Sequence, residues 1–128
     1  MTSPLVPVSW GELYDKISIL EIKAERIAQP EKLANVGREL AALQACAFAQ
    51  PSLAELDALR RRLRHVNEAL WEIEDRIREK EHEQAFDDDF VQLARSVYVR
   101  NDERAKIKRE INDLLQSGLI EEKSYRTY

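Results

Sequence analysis

The sequence predicts an all-α fold, an antiparallel four-helix bundle with a long hairpin of its third and fourth helices. Three observations carry this expectation. Apolar residues recur at alternating three- and four-residue intervals in four separate segments, the period of one helix face. The chain has only three Gly and four Pro, too few for a β-rich or loop-dominated protein. Its balance of 44% apolar and 34% charged residues is that of a helical protein with a core. At 128 residues it reads as a single domain spanning 1–128, long enough to bury about two-thirds of its unfolded surface.

Pro4 and Pro7 keep residues 1–8 extended. Ser9-Trp10-Gly11-Glu12 has the S-x-x-E form of a capping box, in which hydroxyl and carboxylate each satisfy a free backbone N–H. A first helix over 10–27 then carries Leu13, Ile17, Leu20, Ala24 and Ile27 on one face, and Ile19 and Ile22 widen that face towards a second neighbour. Pro30 opens a second helix over 31–48, with Leu33, Val36, Leu40, Leu43 and Ala47 in its stripe. Gly37, costing about 1 kcal/mol relative to Ala in a helix, marks a close helix–helix approach. Ser52 and Glu55 form a second capping-box pattern ahead of a third helix over 53–84. Its seam is Leu56, Leu59, Leu63, Val66, Leu70, Ile73 and Ile77, heptad-like as in a coiled coil. Asp87-Asp88-Asp89 caps a fourth helix over 89–116, which Ser117-Gly118 stops before a tail over 117–128. The last two helices outreach the first two, leaving an overhang that either protrudes into solvent or pairs with a second copy, and a homodimer is expected.

Polar residues break the fourth seam. After Phe90, Leu93 and Val97 it meets Arg100 and Arg104 before Ile107, Ile111 and Leu114. Folding the hairpin about residue 86 sets Trp71 opposite Asn101, Glu74 opposite Tyr98 and Asn67 opposite Ala105. Asn67, Trp71, Tyr98, Asn101, Asp102, Arg104 and Lys108 are therefore the candidate ligand-binding residues, in a pocket between helices 1, 3 and 4. Glu12, Glu74 and Asp75 are the candidate catalytic carboxylates. The bland alternative is a structural network, a buried Glu–Arg pair with Asn partners that sets helix register.

Arg60-Arg61-Arg62-Leu63-Arg64-His65 lies in the same register beside Lys106, Lys108 and Arg109. Glu121 and Glu122 are positioned to neutralise it; phosphate or nucleic-acid binding is the sharper reading. A net charge of −4 and the lack of interleaved aromatics argue against nucleic acid. Glu12-x-x-Asp15 and Glu72-x-x-Asp75 each put two acids on one helix face, as Mg²⁺-dependent all-α pyrophosphohydrolases do. The pattern is weak in a chain with 24 acids, and helix-surface pairing such as Glu72–Arg76 and Glu74–Arg78 is the favoured explanation. His65, His82 and Cys46 show no metal-ligand spacing, and no cofactor motif is present. Cys46 stands alone, which fits a reducing compartment. No signal peptide and no membrane span is read in the sequence, and a cytoplasmic location is expected.

The segments PVSWGELYDKISILEIKAERI, NEALWEIEDRIR, ARSVYVRNDERAKIKREIN and EEKSYRTY together resemble a group of short bacterial proteins known only as a domain of unknown function. The resemblance spans nearly the whole chain and is weakest between Ala41 and Arg64. It implies no activity. The polar positions it marks run from Ser9, Glu12, Asp15, Lys16 and Lys23 through Asn67, Trp71, Glu74 and Asp75 to Arg95, Ser96, Tyr98, Asn101, Asp102, Arg104, Lys108 and Asn112, ending with residues 121–125. Ser18 stands where that group leads one to expect Thr.

The expected function is that of a small cytoplasmic helical-bundle binding or accessory protein, homo-oligomeric, with a small anionic ligand as its further partner. The alternative is a ligand-binding or metal-dependent enzyme directed at phosphate esters or nucleotides.

Overall fold

The computed structural model describes residues 2–128. An extended lead-in precedes four helices, α1 (Trp10–Arg26), α2 (Pro30–Ala47), α3 (Ala54–Glu83) and α4 (Asp88–Leu114). The described residues contain no strand, so the protein is all-α. Short connections make successive helices alternate in direction.

The centre of this arrangement is α1. It approaches each of the other three helices, whereas among the described residues α2 approaches only α1 at the backbone level. Residues Leu13, Tyr14, Ile17, Leu20 and Ile22 are buried on several sides of α1, so the widening of its apolar face by Ile22 serves this role. The bundle is thus a three-helix core of α1, α3 and α4, with α2 laid along the flank of α1. Val36 is the buried residue of α2, while its half-buried Leu40, Leu43 and Ala47 reach the core cluster from outside. Leu63 and Ile111 are wholly enclosed at the α3–α4 seam. Burying side chains of this size contributes about 1.5–3 kcal/mol each.

The α3–α4 hairpin keeps the register read from its sequence: Arg62 Nη1 donates to Glu110 Oε2 at 2.9 Å, a pair symmetric about residue 86. With 30 residues α3 is about 45 Å long, against about 25 Å for the 17 residues of α1. The overhang is closed internally by Ile73 and Leu93, and at its tip Phe86 meets Phe90 edge-to-face at 5.3 Å.

Several local expectations are corrected. Ser9 Oγ accepts from the Glu12 backbone N–H at 3.2 Å, but the Glu12 carboxylate turns to Lys108 and Lys16 instead of closing the box. The Ser52–Glu55 pattern makes no box: Leu53 is the residue before α3 and no side chain caps it. Asp87 does cap α4, accepting from Phe90 N–H at 3.0 Å. α4 ends at Leu114, and the left-handed residue that stops it is Gln116 (φ 52°), with Ser117 N–H bonded back to Asn112 O at 2.8 Å. Gly118 has no neighbour that would exclude a side chain.

Gly37 likewise faces open space, so it marks no close approach. Gly11 does: a Cβ there would collide with the Lys108 carbonyl oxygen and come within 2.9 Å of Asn112 Oδ1. These two glycines make opposite predictions. Gly37→Ala should stabilise the protein by about 0.5–1 kcal/mol through helix propensity. Gly11→Ala should destabilise it by about 1–3 kcal/mol despite the same propensity gain, because the α1–α4 contact must open. Urea unfolding of the two variants beside the parent measures both; equal effects would refute the close approach at Gly11.

Candidate functional site

Gly11, Asp15 and Ser18 are spaced four and three along α1, and Arg104, Lys108 and Asn112 are spaced four apart along α4. Both sets therefore share a helix face. Because α1 and α4 run in opposite directions, Gly11 meets Asn112 while Asp15 meets Arg104. Gly11 N–H donates to Asn112 Oδ1 at 2.7 Å, and Trp10 N–H to Ser117 Oγ at 3.2 Å.

Asp15 is 0% exposed. A carboxylate there must be paired and hydrogen-bonded to remain charged. Arg104 Nε donates to its two oxygens at 3.0 and 3.1 Å, and Arg104 Nη2 donates to Oδ2 as well. From α3, Asn67 Nδ2 donates to Asp15 Oδ1 at 2.9 Å and to Ser18 Oγ at 3.2 Å. Lys108 Nζ stands 3.8 Å from Asp15 Oδ2, and donates to Glu12 Oε2 at 2.7 Å and Glu121 Oε2 at 3.1 Å. Among the described residues no buried side-chain nitrogen or oxygen lacks a partner.

The charges follow this geometry. The hydrogen bonds to Asp15 hold the Arg104 guanidinium above the usual arginine value, outweighing its burial. Burial alone would push the Lys108 ammonium down, but its bonds to Glu12 and Glu121 and the nearby Asp15 carry it above the ordinary lysine value. Glu121 is raised by burial and lowered further by Lys108 and Lys123, with a net value below the usual carboxylate range. The Lys108–Glu121 contact thus stabilises the fold between the ordinary values of the two groups. It is lost as pH falls through the depressed Glu121 value or rises through the elevated Lys108 value.

The tail returns along α4. Glu121 meets Lys108, Glu122 Oε1 accepts from Arg109 at 3.2 Å, and Tyr128 reaches Tyr98, their rings 4.9 Å apart. Tyr128 also donates its hydroxyl proton to Asp102, which pushes the phenol up to about 12. Between tail and α4 lies a groove of about 1070 Å³. Tyr98, Asn101, Asp102, Arg104 and Lys108 line it on the α4 side; Lys123, Tyr125, Arg126 and Tyr128 line it on the tail side.

Five of the seven residues singled out as ligand-binding thus border one cavity, on the tail side of α4. Asn67 lies behind it on Asp15. Trp71 does not line it and instead carries Arg26 of α1 at 6.0 Å from its ring centre. The space among α1, α3 and α4, where the spacing suggested a pocket, is filled by Asp15, Asn67, Ser18 and Arg104. The acid that pairs with Arg104 is Asp15; Glu74 pairs with Arg78 on its own helix and Asp75 is exposed. Among the described residues, no three carboxylate, imidazole or thiol groups converge as a metal-binding set. Three arginines of the α3 cluster are neutralised, Arg60 by Glu21, Arg62 by Glu110 and Arg64 by Glu21, Glu25 and Glu68. Glu121 and Glu122 serve Lys108 and Arg109 instead.

The two acids should separate clearly on substitution. Asp15→Asn leaves two cations facing a buried neutral amide and should cost about 3 kcal/mol, the low end for a broken buried pair since Arg104 keeps some solvent contact. Glu74→Gln removes only a surface pair on one helix and should cost less than about 0.5 kcal/mol. Chemical denaturation of both variants reads the difference, and a near-neutral Asp15→Asn would refute the network's structural weight.

No helix among the described residues is long and apolar enough to cross a membrane. No curated protein sequence and no solved structure matches the chain. The profile of a family described as a family of unknown function (DUF6165) matches residues 5–128. With nearly its whole length matched, the chain belongs to that family.

Proposed function

We propose that this protein acts by binding, and that the groove between α4 and the tail receives a small anionic ligand bearing an aromatic or other planar group. The observation that carries this reading is the composition of the groove wall. Arg104, Lys108, Lys123 and Arg126 supply positive charge, Tyr98, Tyr125 and Tyr128 supply ring faces, and Asn101 supplies an amide. A cavity of about 1070 Å³ suits a ligand of nucleotide size. Of the three carboxylates around Lys108, Glu121 is the one contributed by the tail, so an incoming anionic group competes with it. The enzymatic alternative has less support, because Glu12 is bound by Lys108 and Lys16 and Glu74 by Arg78.

A thermal-shift series of nucleotides, aromatic carboxylates and sugar phosphates tests the reading, since a ligand of the native state raises the melting temperature. Compounds with both a ring and an anion should raise it, and Lys123→Gln with Arg126→Gln should reduce that rise. A series that leaves the melting temperature unmoved would sink the proposal.

The same reading includes a cytoplasmic homodimer, in keeping with the lone, exposed Cys46. The overhang is self-complementary: its tip is acidic at Asp88 and Asp89, its base carries exposed Arg76 and Arg95, and Val91 and Val99 are exposed along it. Two overhangs laid side by side in opposite directions bring each tip to the other's base. Sedimentation velocity should give a dimer that Val91→Glu dissociates; a monomer across the micromolar range would exclude it.

A further inference from the structure

The face of α1 turned towards the first half of α3 holds a second cavity, of about 340 Å³, separate from the tail groove. Tyr14, Ser18 and Glu21 lie at four- and three-residue spacing on α1, and Asp57, Arg60, Arg61 and Arg64 lie on the matching stripe of α3. The two helices run in the same direction, so both stripes border the cavity along its length.

Its wall is rich in unused donors. Tyr14 is 3% exposed as a residue, and its hydroxyl, accessible at the cavity wall, has no hydrogen-bond partner among the described residues. Ser18 is 7% exposed; its oxygen accepts from Asn67, and its own proton goes to no acceptor among the described residues. Arg60 lies over the Tyr14 ring at 4.9 Å and 3.7 Å from Glu21, and Arg64 is held by Glu21, Glu25 and Glu68. Arg61, in the same wall, forms no ion pair among the described residues.

Two hydroxyls at the cavity wall and one free guanidinium facing a common space call for a group that only accepts hydrogen bonds and carries negative charge. A cation would meet three guanidinium groups. An apolar group would leave the hydroxyls unpaired, at a cost. We infer that this cavity is a binding site for a phosphoryl group, held by Arg61 and by the hydroxyls of Tyr14 and Ser18. With Arg60 and Arg64 already paired to Glu21, Glu25 and Glu68, Arg61 is, among the described residues, the one guanidinium of the wall left to meet the ligand's charge, which favours a phosphate monoester over a polyphosphate. The remaining volume takes the ester's organic part. Burial raises the Tyr14 phenol above its ordinary value against the opposing pull of Arg60, so it stays a donor at neutral pH.

Isothermal titration of the full chain with inorganic phosphate and with glycerol phosphate, at constant ionic strength balanced with chloride, tests the site. Saturable binding is expected, and Arg61→Gln and Tyr14→Phe should each raise Kd by about fivefold or more. Lys123→Gln, in the tail groove, should leave Kd unchanged, which separates this site from the one proposed there. Should Tyr14→Phe lower the melting temperature, Ser18→Ala takes its place. Tighter binding of the ester than of free phosphate assigns the cavity to a monoester, and equal binding assigns it to phosphate itself. Absence of saturation, or a Kd indifferent to Arg61→Gln and to loss of the hydroxyl, overturns the proposal.

Discussion

Asp15 is the constraint around which the helices are set. A carboxylate sealed from solvent loses several kcal/mol of hydration, and only close, directed partners offset that loss. The partners come from two different helices: Arg104 and Lys108 from α4, Asn67 from α3. Satisfying one acid therefore fixes α1 against both arms of the hairpin at once. Apolar seams alone tolerate a slip of one turn, since Leu and Ile stripes repeat; a slip here would leave the carboxylate facing the wrong residues. Buried polar groups often cost stability while setting register, and the position of Asp15 between three helices fits that role.

The same contact explains the start of α1. The first N–H groups of a helix have no partner within it. Here Ser9 takes that of Glu12, Asn112 takes that of Gly11 and Ser117 takes that of Trp10. Two of these three acceptors belong to the end of α4 and the turn after it, so the close of one helix caps the opening of another. That approach needs a residue without a Cβ at position 11. It also leaves the Glu12 carboxylate free of the capping box, and Lys108 receives it. A local sequence pattern is overridden by a tertiary one of greater electrostatic weight.

This contrast marks what the sequence could disclose. The stripes of α3 and α4 were legible because helix periodicity needs no knowledge of neighbours, and the hairpin register followed from its turn. Arg104 was recognisable as an intruder in an apolar seam. Its partner was not, because folding a hairpin in one dimension can bring only α3 acids to α4. Asp15 belongs to a different helix, whose placement depends on the tertiary packing itself. One sign was present: Gly11, Asp15 and Ser18 form a stripe of small or polar residues beside the Leu13–Ile17–Leu20 stripe, and a helix buried on several sides uses both. The two capping-box patterns, alike in sequence, part company for the same reason: Ser9 stands beside the end of α4, whereas the chain entering α3 places Leu53 at its cap.

The electrostatics then ties the buried network to the surface. Lys108 has three carboxylates around it, of which Asp15 and Glu12 come from the packed helix α1 and Glu121 from an irregular tail. Removing Asp15 or Glu12 disturbs the core, whereas withdrawing Glu121 only moves a segment that has no regular structure. Glu121 is therefore the exchangeable member, and the tail is held by this bond, by the Arg109–Glu122 pair and by the Tyr128 contacts on α4. A lysine kept charged by two fixed acids and capped by one displaceable acid is ready to accept an anion without rearranging the helices beneath it. That asymmetry, rigid on the α1 side and yielding on the tail side, is why the groove lies outside α4 while the space where α1 meets α4 is filled.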